Sequence, residues 1–89
     1  MTKLSPAARL RKLLAEDTCH VMPCCWDGLS AKMIGDAGFG FTFMSGFAVS
    51  ASRIGAPDTG LISFGEMLDQ GRNICAATDI PVIGDGDTG

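Results

Sequence analysis

The chain has 89 residues, a net charge of −3 and a hydrophobic fraction of 46%. This length allows at most one small globular domain, and the acidic balance argues against nucleic acid as a partner, because backbone binding needs a basic surface. No stretch reaches the roughly 20 apolar residues of a membrane span, and the N-terminus lacks the apolar core of a signal peptide, so a cytoplasmic protein without a membrane partner is expected.

The first predicted elements are a helix and a short strand. Ser5 and Pro6 have the residue types of an N-cap and a first helical position, and the helix is expected to end near Asp17. Residues 20–22 predict the first strand. Pro23 is expected to close it, because proline cannot donate a hydrogen bond to a neighbouring strand.

A second helix and a second strand follow. The helix is predicted over residues 28–37, with Asp27 as its N-cap and Gly38 in the left-handed position after its end. The second strand is expected over residues 41–44. Residues 48–52 indicate one helical turn, and the glycines and proline of residues 55–60 are typical of a loop.

The last predicted helix begins at a capping box formed by Ser63 and Glu66, and it runs to about Ala77. Its buried side is expected to comprise Met67, Leu68, Ile74 and Cys75. A third strand over residues 80–84 completes the series. Strands that alternate with helices predict a parallel sheet, and hence an α/β fold.

The four cysteines allow two interpretations. The simpler one is that they are buried thiols in a reducing compartment. The alternative is a zinc site formed by Cys19, His20, Cys24 and Cys25, although this spacing fits no familiar zinc motif.

Candidate functional residues follow the predicted strands at their carboxyl ends, where parallel α/β folds bind ligands. Ser45 and Gly46 end the second strand, Asp85 and Asp87 follow the third, and Asp58 lies in the loop between them. Because Mg²⁺ prefers carboxylate and water oxygens, the three acids predict a magnesium site. The Ser-Gly turn, with free backbone amides, could hold the carboxylate of a substrate.

Each of these features also has an ordinary structural interpretation. Aspartate and glycine favour turns, so Asp85 and Asp87 fit a simple turn, and Ser45 with Gly46 fits a turn that ends a strand. Asp58 after a proline fits a loop cap. The pair of acids also has the spacing that opens a calcium loop. From the residues alone, these alternatives stay open.

Six sequence blocks occur in an order that is more specific than any one of them. They are WDGLSA at 26–31, AGF at 37–39, MSGFAVS at 44–50, GAPDTGL at 55–61, EM at 66–67 and PVIGDGDTG at 81–89. Together they resemble the isocitrate lyase/phosphoenolpyruvate mutase superfamily. The resemblance implies a (β/α)₈ TIM barrel of roughly 300 residues. Residues 1–89 would then be a single partial domain, the N-terminal third of the barrel with its first three parallel strands.

The resemblance also implies an activity. Members use Mg²⁺, with Mn²⁺ as an alternative ion, and act on small 2-oxo or 2-hydroxy di- and tricarboxylic acids through an enolate. A lyase or decarboxylase like oxaloacetate decarboxylase, 2-methylisocitrate lyase or dimethylmalate lyase is the first hypothesis. A phosphoenolpyruvate or carboxyphosphonate phosphorylmutase is the second, and a truncated, non-catalytic chain is the third. The full-length form is expected to be a homo-oligomer.

The roles of individual residues follow from the same resemblance. Asp85 matches the direct metal ligand and Asp87 its partner, which often acts through water. Asp58 matches an acid that approaches the metal in lyases and accepts the phosphoryl group in mutases. The segment that binds the substrate carboxylate matches Ser45, Gly46 and Phe47.

Three positions depart from the pattern of the superfamily. Phe43 stands where many lyases have tyrosine, Phe47 replaces a smaller residue, and Gly86 replaces alanine. These departures favour the oxaloacetate decarboxylase or dimethylmalate lyase side. The general-acid cysteine of the lyases would lie beyond residue 89, and the cysteines present do not match its loop.

Overall fold

The computed structural model describes residues 4–87. The helices and strands of this part follow in the order α1 (Pro6–Leu14), β1 (Cys24–Cys25), α2 (Gly28–Asp36), β2 (Thr42–Met44), α3 (Gly46–Ile54), α4 (Phe64–Ala77) and β3 (Val82–Gly84). The strands form one parallel sheet in the order β1-β2-β3. The predicted parallel α/β class is therefore confirmed.

The register of the sheet brings the strand ends together. Met44 of β2 is paired with Cys25 on one side and with Gly84 on the other. The residues that follow Met44 and Gly84 are Ser45 and Asp85, so both leave the sheet at the same edge. This alignment places two of the predicted site segments next to each other.

The core lies between the sheet and its helices. Its buried residues are Cys25, Ala31, Met44, Val49, Met67 and Ile74. Helix α2 packs against α4, and a Cβ at Gly28 would lie 3.4 Å from the Cβ of Ala77. Fully buried Thr42 supports the sheet, because its hydroxyl donates to the carbonyl of Pro23 at 2.8 Å.

The ends of α2 follow the prediction closely. The Asp27 side chain accepts from the Ser30 amide at 2.7 Å, and the Ser30 hydroxyl oxygen accepts from the Asp27 amide at 3.2 Å. This reciprocal capping box satisfies amides at the start of the helix. After the helix, Gly38 has a φ of 96°, which an L-residue rarely adopts.

The prediction of the first strand is wrong. Residues 20–22 are irregular, Val21 is 72% exposed, and β1 instead begins after Pro23. Proline lacks an amide donor, but its carbonyl still accepts from the Phe43 amide, at 3.4 Å. The inter-strand bonds therefore begin at the proline rather than ending there.

The expectation of a single helical turn after β2 is also wrong. Helix α3 runs over nine residues, Gly46–Ile54. The Ser45 hydroxyl oxygen caps its start by accepting from the Ala48 amide at 3.2 Å, and Gly55, with a φ of 62°, ends it. Ser45 and Gly46 thus begin a helix in addition to ending a strand.

The expected burial of α4 and of the cysteines holds only in part. Met67 and Ile74 are buried, whereas Leu68 is 42% exposed and Cys75 is exposed. Cys25 is buried, and this burial raises the pKa of its thiol. Cys19 and Cys24 are exposed, so the buried-thiol interpretation applies to Cys25 alone. Within residues 4–87, the alternative zinc set is not assembled.

No helix between residues 4 and 87 has both the length and the apolar character that crossing a membrane requires.

Candidate metal centre

Three aspartates from two separate segments meet at the carboxyl edge of the sheet. Asp85 and Asp87 follow β3, and Asp58 lies in the loop between α3 and α4. One carboxylate oxygen of each lies within 4.8 Å of the others. The structure therefore assembles all three acids that the sequence singled out.

Both carboxylate oxygens of Asp85 are held by backbone amides. Its Oδ2 accepts from the Gly46 amide at 2.9 Å, and its Oδ1 accepts from the Asp87 amide at 2.9 Å. Gly46 is the first residue of α3, where amides lack partners within the helix and the helix dipole favours a negative charge. The Asp85 side chain is thus fixed in one orientation by two backbone amides.

The contact between α3 and Asp85 requires glycine at position 46, because a side chain there would collide with the carboxylate. A Cβ at this position would lie 2.5 Å from Asp85 Oδ2 and 3.4 Å from Asp87 Oδ1. Any larger residue would push the Asp85 carboxylate away from the helix. The link joins residues 39 positions apart, and no local sequence pattern indicates it.

The cluster concentrates negative charge at an exposed position. The nearby charge of Asp85 is the largest cause that raises the pKa of the Asp87 carboxyl, followed by desolvation and by the charge of Asp58. Asp87 also has a φ of 49°, in the left-handed region that aspartate tolerates better than most residues. Among residues 4–87, no lysine, arginine or histidine forms an ion pair with these three acids.

The donor set fits a hard divalent cation. Carboxylate oxygens from three side chains, open to water, match the preference of Mg²⁺ for a few carboxylates and several water ligands. A divalent charge would also offset the repulsion that raises the pKa of Asp87. Mn²⁺ prefers the same oxygen donors, so the site does not discriminate against it.

The predicted carboxylate-binding segment forms the N-terminus of α3. The Gly46 amide is already engaged by Asp85, and the Ser45 hydroxyl oxygen by the Ala48 amide. The Phe47 amide has no acceptor within residues 4–87, and the hydroxyl proton of Ser45 has none either. The free donors of this segment are therefore the Phe47 amide and the Ser45 hydroxyl.

A cleft of about 730 Å³ adjoins the acidic cluster. Side chains of α4 and of the sheet line it, chiefly apolar ones such as Met44, Phe64 and Val82, and Asp85 and Asp87 are also among its lining residues. The sequence prediction did not identify this cleft. Exposed Leu68, expected to be buried, is one of its walls.

Three parallel strands covered by helices, with polar groups at their carboxyl ends, are the arrangement of α/β proteins of the TIM-barrel type. Comparison with known proteins supports the same class. The family model described as phosphoenolpyruvate phosphomutase matches residues 10–89. The chain therefore belongs to the phosphoenolpyruvate phosphomutase family, and the resemblance to the isocitrate lyase/phosphoenolpyruvate mutase superfamily is confirmed.

Individual relatives are similar to nearly the whole chain. A chloroplastic carboxyvinyl-carboxyphosphonate phosphorylmutase from Arabidopsis thaliana is 43% identical over 97% of this chain and 27% of its own length. A 2,3-dimethylmalate lyase from Eubacterium barkeri is 41% identical over 97% of this chain and 30% of its own length. The chain thus spans less than a third of either relative.

A solved structure has the same fold. The crystal structure of a phosphonopyruvate hydrolase complexed with oxalate and Mg²⁺ superimposes with a TM-score of 0.86 and 31% identity. The match covers 93% of this chain and 29% of that protein. This match confirms the predicted fold, the first strands and helices of a TIM barrel.

Proposed function

We propose that this chain supplies the metal-binding part of a Mg²⁺-dependent lyase or decarboxylase that acts on small 2-oxo or 2-hydroxy acids. The observation that carries the proposal is the meeting of Asp58, Asp85 and Asp87 within 4.8 Å, beside the N-terminus of α3. In this proposal the chain is one partial domain, the N-terminal third of a TIM barrel. The proposal takes its substrate class from relatives such as the dimethylmalate lyase.

Each group of the chain has a defined task in this proposal. Asp85, Asp87 and Asp58 would hold the cation, which would supply a Lewis acid able to polarise a substrate carbonyl. The Phe47 amide and the Ser45 hydroxyl donate to the substrate carboxylate, and the dipole of α3 favours that negative charge. The Gly46 amide holds Asp85 in place rather than binding substrate.

A chimera tests the proposal directly. This chain would replace the matching 30% of the Eubacterium barkeri dimethylmalate lyase, to which it is 41% identical. The chimera should fold and cleave dimethylmalate only when Mg²⁺ or Mn²⁺ is added. A folded chimera that binds no divalent cation would contradict the proposal.

A phosphorylmutase is the second candidate function. The observation that favours it is the exposed Asp58, which matches the phosphoryl acceptor of mutases, together with the 43% identity to the Arabidopsis phosphorylmutase. Phosphorus NMR of the chimera incubated with phosphoenolpyruvate and Mg²⁺ separates the two. We expect the phosphate ester signal to persist, and a new carbon–phosphorus resonance would support the mutase instead.

We expect the isolated chain to show no turnover and only weak Mg²⁺ binding. Within residues 4–87, β1 and β3 each leave one edge unpaired, and an apolar cleft lies open beside β3. Such surfaces favour association between chains. Turnover of a 2-oxo acid by the isolated chain would contradict the first expectation. A monodisperse monomer in ultracentrifugation that also melts cooperatively in calorimetry would contradict the proposal that the chain is a third of a barrel. The cytoplasmic location and the homo-oligomeric full-length form stay predictions.

A further inference from the structure

We propose that Ser50 is a positioning residue that holds the Asp58 loop against the metal centre. This inference rests on the proposed function, because it assigns a task only if the three acids bind a cation. Ser50 lies in α3, is 2% exposed, and touches neither Asp85 nor Asp87 by a hydrogen bond. Its hydroxyl points instead at the backbone of the loop.

The contacts of Ser50 reach the residues immediately before Asp58. The Ser50 hydroxyl lies 2.9 Å from the carbonyl of Ala56 and 3.0 Å from that of Pro57, so one proton is shared between two acceptors. The backbone carbonyl of Ser50 also accepts from the Ala56 amide at 3.4 Å. A single buried residue thus binds the loop through both its side chain and its backbone.

The loop has few other restraints. Residues 57–60 are exposed. Gly55 and Gly60 both have positive φ, a backbone conformation that residues with a side chain rarely adopt. Within residues 4–87, the Asp58 carboxylate accepts no hydrogen bond from the protein, and the Ser50 hydroxyl makes the side-chain hydrogen bonds to residues 55–60. The place of Asp58 therefore depends on its backbone rather than on its side chain.

Electrostatic repulsion makes such an anchor necessary. Without a cation, the charges of Asp85 and Asp87 push the Asp58 carboxylate away, and an exposed loop can move to relieve this repulsion. The Ser50 hydrogen bonds oppose that movement and keep the third ligand near the other two. Binding a cation then requires less reorganisation of the loop.

Helix α3 joins the two halves of the centre. Its first amide, from Gly46, holds Asp85, and one turn later Ser50 holds the loop of Asp58. The same helix therefore holds proposed metal ligands from two different segments of the chain. This arrangement explains why a polar residue is buried in an otherwise apolar stretch of the helix.

The test compares two alanine variants of the same helix, both made in the dimethylmalate lyase chimera, by ¹⁵N–¹H NMR during a Mg²⁺ titration. Ser50→Ala should weaken Mg²⁺ binding by about two- to tenfold, the equivalent of one hydrogen bond. Thr59, next to Asp58, should lose its Mg²⁺-induced shift, while Asp87 keeps its own. Ser52→Ala is the matched control, because the Ser52 hydroxyl donates to Val49 within the helix, at 3.4 Å. It should bind Mg²⁺ as the parent chimera does.

A second variant and a double mutant separate positioning from a loss of structure. In the metal-free chimera, Ser50→Ala should lower the ¹⁵N order parameters of residues 58–60 and leave those of α3 unchanged. In an Asp58→Asn background, Ser50→Ala should change the Mg²⁺ affinity by less than about twofold. If Ser50→Ala fails to fold, Ser50→Cys, which retains a side chain of similar shape with a weak donor, takes its place.

The failures of the two proposals are distinguishable. If the Asp58→Asn and Asp85→Asn chimeras bind Mg²⁺ as the parent chimera does, the metal site itself is wrong, and the task of Ser50 with it. If those variants lose affinity but Ser50→Ala does not, only the inference about Ser50 is overturned. An equal loss from Ser50→Ala with and without Asp58 would also overturn it, because Ser50 would then act on the fold as a whole.

Discussion

Asp85→Asn in the chimera is expected to lower Mg²⁺-dependent turnover by about a hundredfold or more. Changes to groups that merely support a metal ligand already cost roughly 10–100-fold, and Asp85 is proposed to contact the ion directly. Asparagine retains an oxygen that can accept from the Gly46 amide, but it has no charge to offer a cation. Steady-state kinetics at saturating and limiting Mg²⁺ measure the loss.

The same substitution should not unfold the metal-free protein. Asp85 is the largest cause of the raised pKa of Asp87, so removing its charge relieves repulsion and returns that pKa toward its ordinary value. A loss of turnover with an unchanged melting temperature therefore locates the effect at the cation. Asp36→Asn, an exposed acid at the end of α2, is the control and should leave turnover intact. Equal turnover in the two variants would remove Asp85 from the proposed site.

The predictions that were correct rest on short-range interactions. Helix α2 was located from Asp27 and Gly38, whose capping and left-handed positions depend on residues within one turn. The start of α4 was located from Ser63 in the same way, since its hydroxyl oxygen accepts from the Glu66 amide at 3.2 Å. Capping residues of this kind can be predicted from the local sequence, because both partners of the hydrogen bond lie within one turn.

The predictions that were wrong depend on contacts between distant residues. The start of β1 is set by the pairing of Pro23 with Phe43, which the composition of residues 20–22 does not reveal. The sequence predicts one helical turn over residues 48–52, whereas α3 already begins at Gly46, a poor helix former, and runs to Ile54. Glycine occurs there because of Asp85, 39 residues away, rather than because of the local backbone.

In the candidate site, too, some features follow from the local sequence and others depend on contacts between distant residues. The identities of the three acids were available from the rule that ligands bind at the carboxyl ends of parallel strands. The distance between the three acids could not be predicted in this way. Asp58 lies in a loop that is held by the hydroxyl of Ser50, and this contact brings it near Asp85. A sequence pattern can thus nominate ligands, whereas their assembly depends on tertiary hydrogen bonds.

Gly46→Ala should weaken Mg²⁺ binding by about 10–100-fold, although alanine forms helices better than glycine. The added Cβ would lie 2.5 Å from Asp85 Oδ2, which is too close for any real contact, so the carboxylate must move. Asp85 then loses its hydrogen bond to the helix and its fixed orientation toward Asp87. Isothermal calorimetry with Mg²⁺ would measure the affinity of the chimera that carries the variant.

Gly65→Ala supplies the matched control for this substitution. Gly65 also lies near the start of a helix, α4, but a Cβ there would lie 3.9 Å from the nearest atom outside the neighbouring residues, Ser63 Oγ, an ordinary contact. Both variants gain helix propensity, so a shared change in melting temperature reports propensity alone. A loss of Mg²⁺ affinity in Gly46→Ala but not in Gly65→Ala would identify the close approach of α3 to Asp85 as the cause. Unchanged affinity in both would mean that Asp85 can bind the cation without the support of the helix.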